Sequence, residues 1–285
     1  MSKHLSKLAI VLCLTAPLVF ARNDRSWVSS TGSDSNPCTR TMPCATFQTA
    51  INQTNSGGEV DVVDAGDYGT VHLTFPITID GGGMARISIG SNIFGVNVSE
   101  TVSGPIIVRN LSITGSPGTA FSTAFFMAQC GACVSAYEVH VENVDIANVS
   151  GAFGMQDVGI VTIKGSTIHG VTGAIGVACA GTVGIPPAIT VEIRDVVITT
   201  TAANGFAAVQ VCSGGTVTID KSSIANSYYG IGVVGTGTVR LSDSTITGNS
   251  FGLFTFDGGT IISFVNNRIY GNQVDGAPTK SVYQR

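Results

Sequence analysis

Two tandem copies of one pattern, TVTIDKSSIANSYYGIGVVGTG and TVRLSDSTITGNSFGLFTFDGG, fill the chain between Thr216 and Gly259. Each reads as a short β-branched strand, a polar residue, a second strand ending at Ile, a Gly or Asn, and a third apolar strand after a Gly. About 22 residues therefore carry three strands, and no apolar stripe of period 3.6 interrupts them. Self-similarity at that period, without a helix, is the signature of a β-solenoid in which one repeat is one coil.

The first strand of the pattern recurs as IIVRNLSI, VHVENVDI, VTIKGSTI, VEIRDVVI, VTIDKSSI, VRLSDSTI and ISFVNNRI, starting at residues 106, 139, 161, 191, 217, 239 and 262. The offsets are 33, 22, 30, 26, 22 and 23 residues, so insertions fall in turns while the coil keeps its register. At the fifth position stand Asn110, Asn143, Gly165, Asp195, Lys221, Asp243 and Asn266. All but Lys221 are types that tolerate left-handed backbone at a sharp corner. Positions one, three and eight are almost all aliphatic or aromatic and are expected to point inward. Stacked at about 4.8 Å per coil, they form a continuous apolar column with no room for a ligand, so function must lie on the outside.

Composition agrees with this picture. Only 11% of residues are charged, 44% are apolar, and Gly numbers 36 of 285, which describes a large core closed by many tight turns and excludes disorder. The formal charge is −4, nothing is basic enough to suggest a nucleic-acid partner, and none is expected.

Residues 1–21 combine Lys3 and Lys7, a 13-residue run from Leu8 to Phe20, and Val19-Phe20-Ala21; this predicts a cleaved secretory signal peptide. Leu12 stands before Cys13 where lipidation needs a small residue. The expected product is exported, periplasmic or extracellular, with no membrane-spanning segment, and monomeric. In an oxidising compartment the six remaining cysteines, Cys38, Cys44, Cys130, Cys133, Cys179 and Cys212, are disulfide candidates. Cys130-Gly131-Ala132-Cys133 is either a turn-closing bridge, a pair of free thiols or a redox motif, and its strand-like flanks disfavour the last. Cys179 and Cys212 close the third strands of consecutive coils, within bridging distance if they are equivalent. Cys38 and Cys44 are left to staple a polar N-terminal loop.

That loop, residues 26–44, precedes a short helix over Ala45 to Thr54, with Thr46 as N-cap, Phe47, Ala50 and Ile51 on one face and Gly57-Gly58 as its stop. It is expected to lie as a lid on the first coil. The organisation is thus 1–21 signal peptide, 22–58 loop and capping helix, and 59–285 β-helix.

The helix, the following Gly-Gly, the strand Val60 to Val63, DAGDYG and ITIDG together resemble the opening of secreted right-handed parallel β-helix proteins of the pectate lyase-like superfamily. More narrowly, SSTGSDSNPCTRTMPCATFQTAI resembles bacterial β-helix-repeat proteins. The resemblance implies an all-β, single-stranded right-handed parallel β-helix, and an active face on the strand after each Gly turn, bearing acidic and basic residues. In this chain those strands read AIGVAC, FAAVQVC, GIGVV and GLFTF, without clustered Asp, Lys or Arg. Asp157 is the one carboxylate near them, and glycoside hydrolysis uses two. The surface-site candidates are Asp157, with His140, Glu142 and Glu192 on the octet's outer face, where weak ion pairs are the simpler reading. No catalytic, metal or cofactor set is expected. The sequence reads as a non-catalytic interaction or structural module presenting a smooth face dotted with Thr, Ser and Phe254 or Phe256, with polysaccharide or another surface protein as partner; the alternative is a carbohydrate-active enzyme.

Overall fold

A computed structural model describes residues 22–99, 102–116, 121–127, 137–156, 159–179, 189–201 and 205–283. The predicted signal peptide, Cys130, Cys133 and Asp157 lie outside the described residues.

Alternation of β-branched and polar residues makes each octet a strand with one buried side, and like strands of successive coils pair in parallel. Val139, Val161, Val191, Val217 and Val239 stack in register. Among the described residues, one sheet of 17 strands wraps two faces of the solenoid and a second sheet of eight forms the third. The octet bends between the first two faces at its fifth residue. There Asn110, Asn143, Gly165, Asp195, Lys221 and Asp243 all have φ between 45° and 59°, as a left-handed corner demands. A second left-handed corner follows at Asn148, Gly170, Asn226, Gly248 and Gly271.

Octet positions one, three and eight are buried in the six coils from Ile106 to Ile246. Each Val or Ile so placed contributes roughly 1.5–3 kcal/mol of transfer free energy. Position six is buried as well, as Leu111, Val144, Ser166, Val196, Ser222 and Ser244. The serines are satisfied inside the wall: each hydroxyl donates to the carbonyl two residues before it, at 3.0 Å for Ser166, 2.8 Å for Ser222 and 2.7 Å for Ser244. Each also accepts a backbone N–H from the previous coil, Val144, Val196 and Ser222 in turn.

The helix spans Phe47–Asn52, shorter than expected, and ends at Gln53. Gly57 and Gly58 are not its stop but lie within the strand Thr54–Val62. Thr46 caps it, accepting from Thr49 N–H at 3.2 Å, and Phe47, Ala50 and Ile51 are buried against the first coil. Phe47 meets the ring of Tyr68 at 5.1 Å. The stretch read as irregular opens on a strand, Asn23–Val28, parallel to Thr54–Val62. Its inward residue Ser26 hid the alternation; buried, it accepts from Thr54 Oγ1 at 2.7 Å.

Among the described residues two disulfides are formed, Cys38–Cys44 with Cα atoms 4.7 Å apart and Cys179–Cys212 at 5.0 Å. The second joins neighbouring coils, but not from equivalent positions. Val177 pairs with Val211, which sets Ala178 opposite Cys212. Ala178 turns left-handed, φ 60°, and this corner brings the next residue, Cys179, back to its partner. The last octet also shifts: Val239 pairs with Ile261 rather than Ile262, while Ile246 still pairs with Ile269. One extra residue is absorbed at that corner, where the Asn267 side chain donates inward to the Leu241 and Phe264 carbonyls, each at 2.7 Å. No helix among the described residues is long and apolar enough to cross a membrane.

Candidate functional site

The octet candidates are not brought together. His140 Nε2 lies 2.9 Å from Glu138 Oε1 on its own strand, and Thr162 stands between His140 and Glu192 in the ladder. Two rungs, about 9.6 Å, separate those side chains, too far for joint proton transfer. Glu192 faces Arg194 at 3.8 Å, and Arg194 reaches Asp220 at 3.0 Å. Glu142 sits in register between Arg109 and Lys164. This face is a solvated ladder of mixed charge, opposite signs meeting at Arg109–Glu142–Lys164 and at Arg194–Asp220 while Lys164 lies beside Arg194.

A denser group, which the sequence did not reveal, stands on the first coils. Glu59, Asp61 and Asp80 bring carboxylate oxygens within 4.8 Å of one another. Each already holds an arginine: Arg25 bonds Asp61, and Arg109 reaches Glu59 at 3.0 Å and Asp80 at 2.8 Å. Burial works against the Asp80 charge, but hydrogen bonds from Asn110, Gly82 N–H and Arg109 outweigh it and hold its pKa below the usual carboxylate value. The adjoining depression, about 620 Å³, is lined by Asp80, Asn110 and Asn143 among others. Three of its polar side chains are chained together: Asn143 donates to Asn110 at 3.2 Å and Asn110 to Asp80 at 3.0 Å, while Asp145 lies 3.3 Å from His169. This region is a pinned corner of the fold.

The third face differs. After the short strand Val71–Leu73, its strands Phe94–Val98, Thr123–Met127, Gly151–Met155, Gly173–Val177, Ala207–Val211, Tyr229–Val234 and Phe251–Phe256 turn their first and fourth residues outward. The fourth residues form one ladder: Asn97, Phe126, Gly154, Gly176, Gln210, Gly232 and Phe254. Gly151 and Gly173 lie beside it at the first position. None of Gly151, Gly154, Gly173 and Gly176 has positive φ, and an added Cβ on any of them would meet no atom closer than 3.2 Å. No turn requires glycine there, and close packing touches only Gly154, under the Phe126 ring; glycine in a strand costs roughly 0.5–1 kcal/mol. Their effect is to leave a groove of about 350 Å³ running along the solenoid axis.

Aromatic rings close both ends of this floor. Phe94 and Phe126 stack at 4.1 Å on one side. On the other, Tyr229 stacks on Phe254 at 4.6 Å, with Tyr228 and Phe251 packed against Tyr229. Phe206, 54% exposed, stands on the rim. Thr123, Ser150 and Gln210 supply the polar side chains of the lining. At the far end of the ladder, Asn97 Oδ1 is buried with no hydrogen-bond partner among the described residues. The sequence showed these strands to be poor in charge but not that their glycines, taken together, carve a channel.

Residues 145–281 match the family model described as "Right handed beta helix region". The fold is accordingly the right-handed parallel β-helix seen in pectate lyase-like proteins. The chain superposes on a pectate lyase, Pel9A, with a TM-score of 0.56 at 13% identity, covering 84% of this chain and 68% of that one. It superposes on the enzymatically active domain of tailspike protein 2 of bacteriophage CBA120 with a TM-score of 0.52 at 11% identity, covering 94% of this chain and 46% of that one. A GH136 lacto-N-biosidase from Eubacterium ramulus gives 0.50 at 10% identity, covering 91% and 67%. The chain thus spans less than half of the tailspike domain and about two thirds of the other two. At these identities the likeness is one of fold. No curated protein matches the chain in sequence.

Proposed function

We propose that this protein is an exported, non-catalytic binding module that holds a glycan in the groove of its third face. The observation that carries the reading is the run of four outward glycines, none with a conformational need and three with no packing need, set between two aromatic clusters. Flat, open floors with exposed rings suit the apolar faces of sugar rings, and an exposed apolar patch of this kind marks a binding surface. The solved structures sharing the fold include a pectate lyase and a lacto-N-biosidase, which lends a saccharide ligand further support. The two disulfides fit an oxidising compartment. Among the described residues, the groove lining offers no carboxylate or base, and Asp157 alone would not supply the pair used in glycoside hydrolysis.

The test is incubation with polygalacturonate, alginate and neutral glycans, followed by ultraviolet absorbance of unsaturated product and by a reducing-end assay. Binding without turnover is expected. Turnover that disappears in Asp157→Ala would replace this reading with that of a carbohydrate-active enzyme.

A further inference from the structure

Charge is segregated in this molecule, and the segregation selects the ligand. The groove lining, from Thr123 through Gly154 and Gly176 to Gln210, contains no ionisable side chain. In sequence, residues 111–137, 170–191, 199–219 and 222–239 contain no Asp, Glu, Lys, Arg or His; His72, exposed on the sheet's first strand, lies one rung beyond Asn97 and two beyond Phe126, outside the groove. Between residues 147 and 163 there is one, Asp157. The charges sit instead on the octets, as in Arg109, Glu142, Lys164, Glu192, Arg194 and Asp220.

A uronate polymer carries one carboxylate on every ring. Laid in this groove, its charges would lose part of their water against glycine backbone and aromatic rings with no lysine or arginine to meet them, which opposes binding. The protein's own net charge of −4 would also repel it at a distance. An uncharged glycan meets neither penalty. Its C–H faces pack on Phe126, Phe206 and the Tyr229–Phe254 pair, and its hydroxyls find Thr123 and Gln210. The ladder from Phe126 to Phe254 crosses five rungs, about 24 Å, so the ligand is an extended chain of several sugars rather than a monosaccharide.

We infer that the groove takes an uncharged, extended polysaccharide and excludes polyuronates. This rests on the groove being the glycan site, and the experiment separates the two claims. The intact protein is run in affinity electrophoresis against neutral glucans, galactans, mannans and xylans and against polygalacturonate and alginate. Retardation is expected by at least one neutral glycan and by neither polyuronate. The affinity should change less than about twofold between roughly 50 and 500 mM salt, since no charge pair is formed for the salt to screen. Gly176→Gln fills the floor at a position where an added Cβ makes only ordinary contact, 3.7 Å from the Phe153 carbonyl. It and Phe206→Ala should each weaken binding by about tenfold or more without lowering the melting temperature. Retardation by a polyuronate, or a steep salt dependence, overturns the ligand class while leaving the groove in place if Gly176→Gln abolishes it. Neutral-glycan binding indifferent to both substitutions, binding of peptides alone, or no glycan binding at all overturns the groove itself.

Discussion

Lys221 is the one residue of the octet-corner ladder that is not Asn, Asp or Gly. It occupies the octet corner at φ 48°, where the neighbouring coils place Asp195 and Asp243, and left-handed backbone costs an ordinary side chain roughly 1–2 kcal/mol. Lys221→Asn is therefore expected to stabilise the protein by up to about 1 kcal/mol, read as a higher thermal midpoint; a lower midpoint would mean that the lysine makes a compensating contact. That corner ladder was legible because its conformational demand is written in residue types. The adjacent position six was not legible. Half of its occupants in the coils from Ile106 to Ile246 are serine, and a serine reads as exposed until one sees Ser166, Ser222 and Ser244 bonding two residues back.

Between elements, the register decides what the cysteines do. The Cys179–Cys212 pairing followed from coil counting, yet the true register is one residue away, and the bond forms through the left-handed turn at Ala178. Sequence could not supply that turn, because alanine gives no sign of positive φ. The bridge spans 33 residues, so removing it by Cys179→Ser with Cys212→Ser should cost roughly 3–4 kcal/mol in the chain-entropy account, measured by denaturant midpoint. An unchanged midpoint would show that the coil contacts alone hold the two strands. The strand Asn23–Val28 and the last octet escaped the reading for a related reason. In the first, the inward residue Ser26 is polar; in the second, the doublet Ile261-Ile262 lets alternation begin at either residue.

At the scale of the molecule, the solenoid was readable from period and strand chemistry, and the lid from three apolar residues on one short helix. The groove was not, since it is made by side chains that are missing. Removing residues 22–53 takes away the first strand and the helix, uncovering the apolar end on which Phe47 and Ile51 sit. The truncated protein is expected to aggregate in size-exclusion chromatography, and a monomer with unaltered melting would show that the lid does not protect the core. The stacking has a mechanical corollary. Hydrogen bonds between coils run along the solenoid axis, so a pull on the two ends loads them one rung at a time, and the chain unzips coil by coil at modest force. Cys179–Cys212 interrupts that process with a covalent link across the rung between Gly173–Val177 and Ala207–Val211. Those two strands carry part of the glycine floor, so a molecule tugged from either end surrenders its outer coils before the middle of its groove.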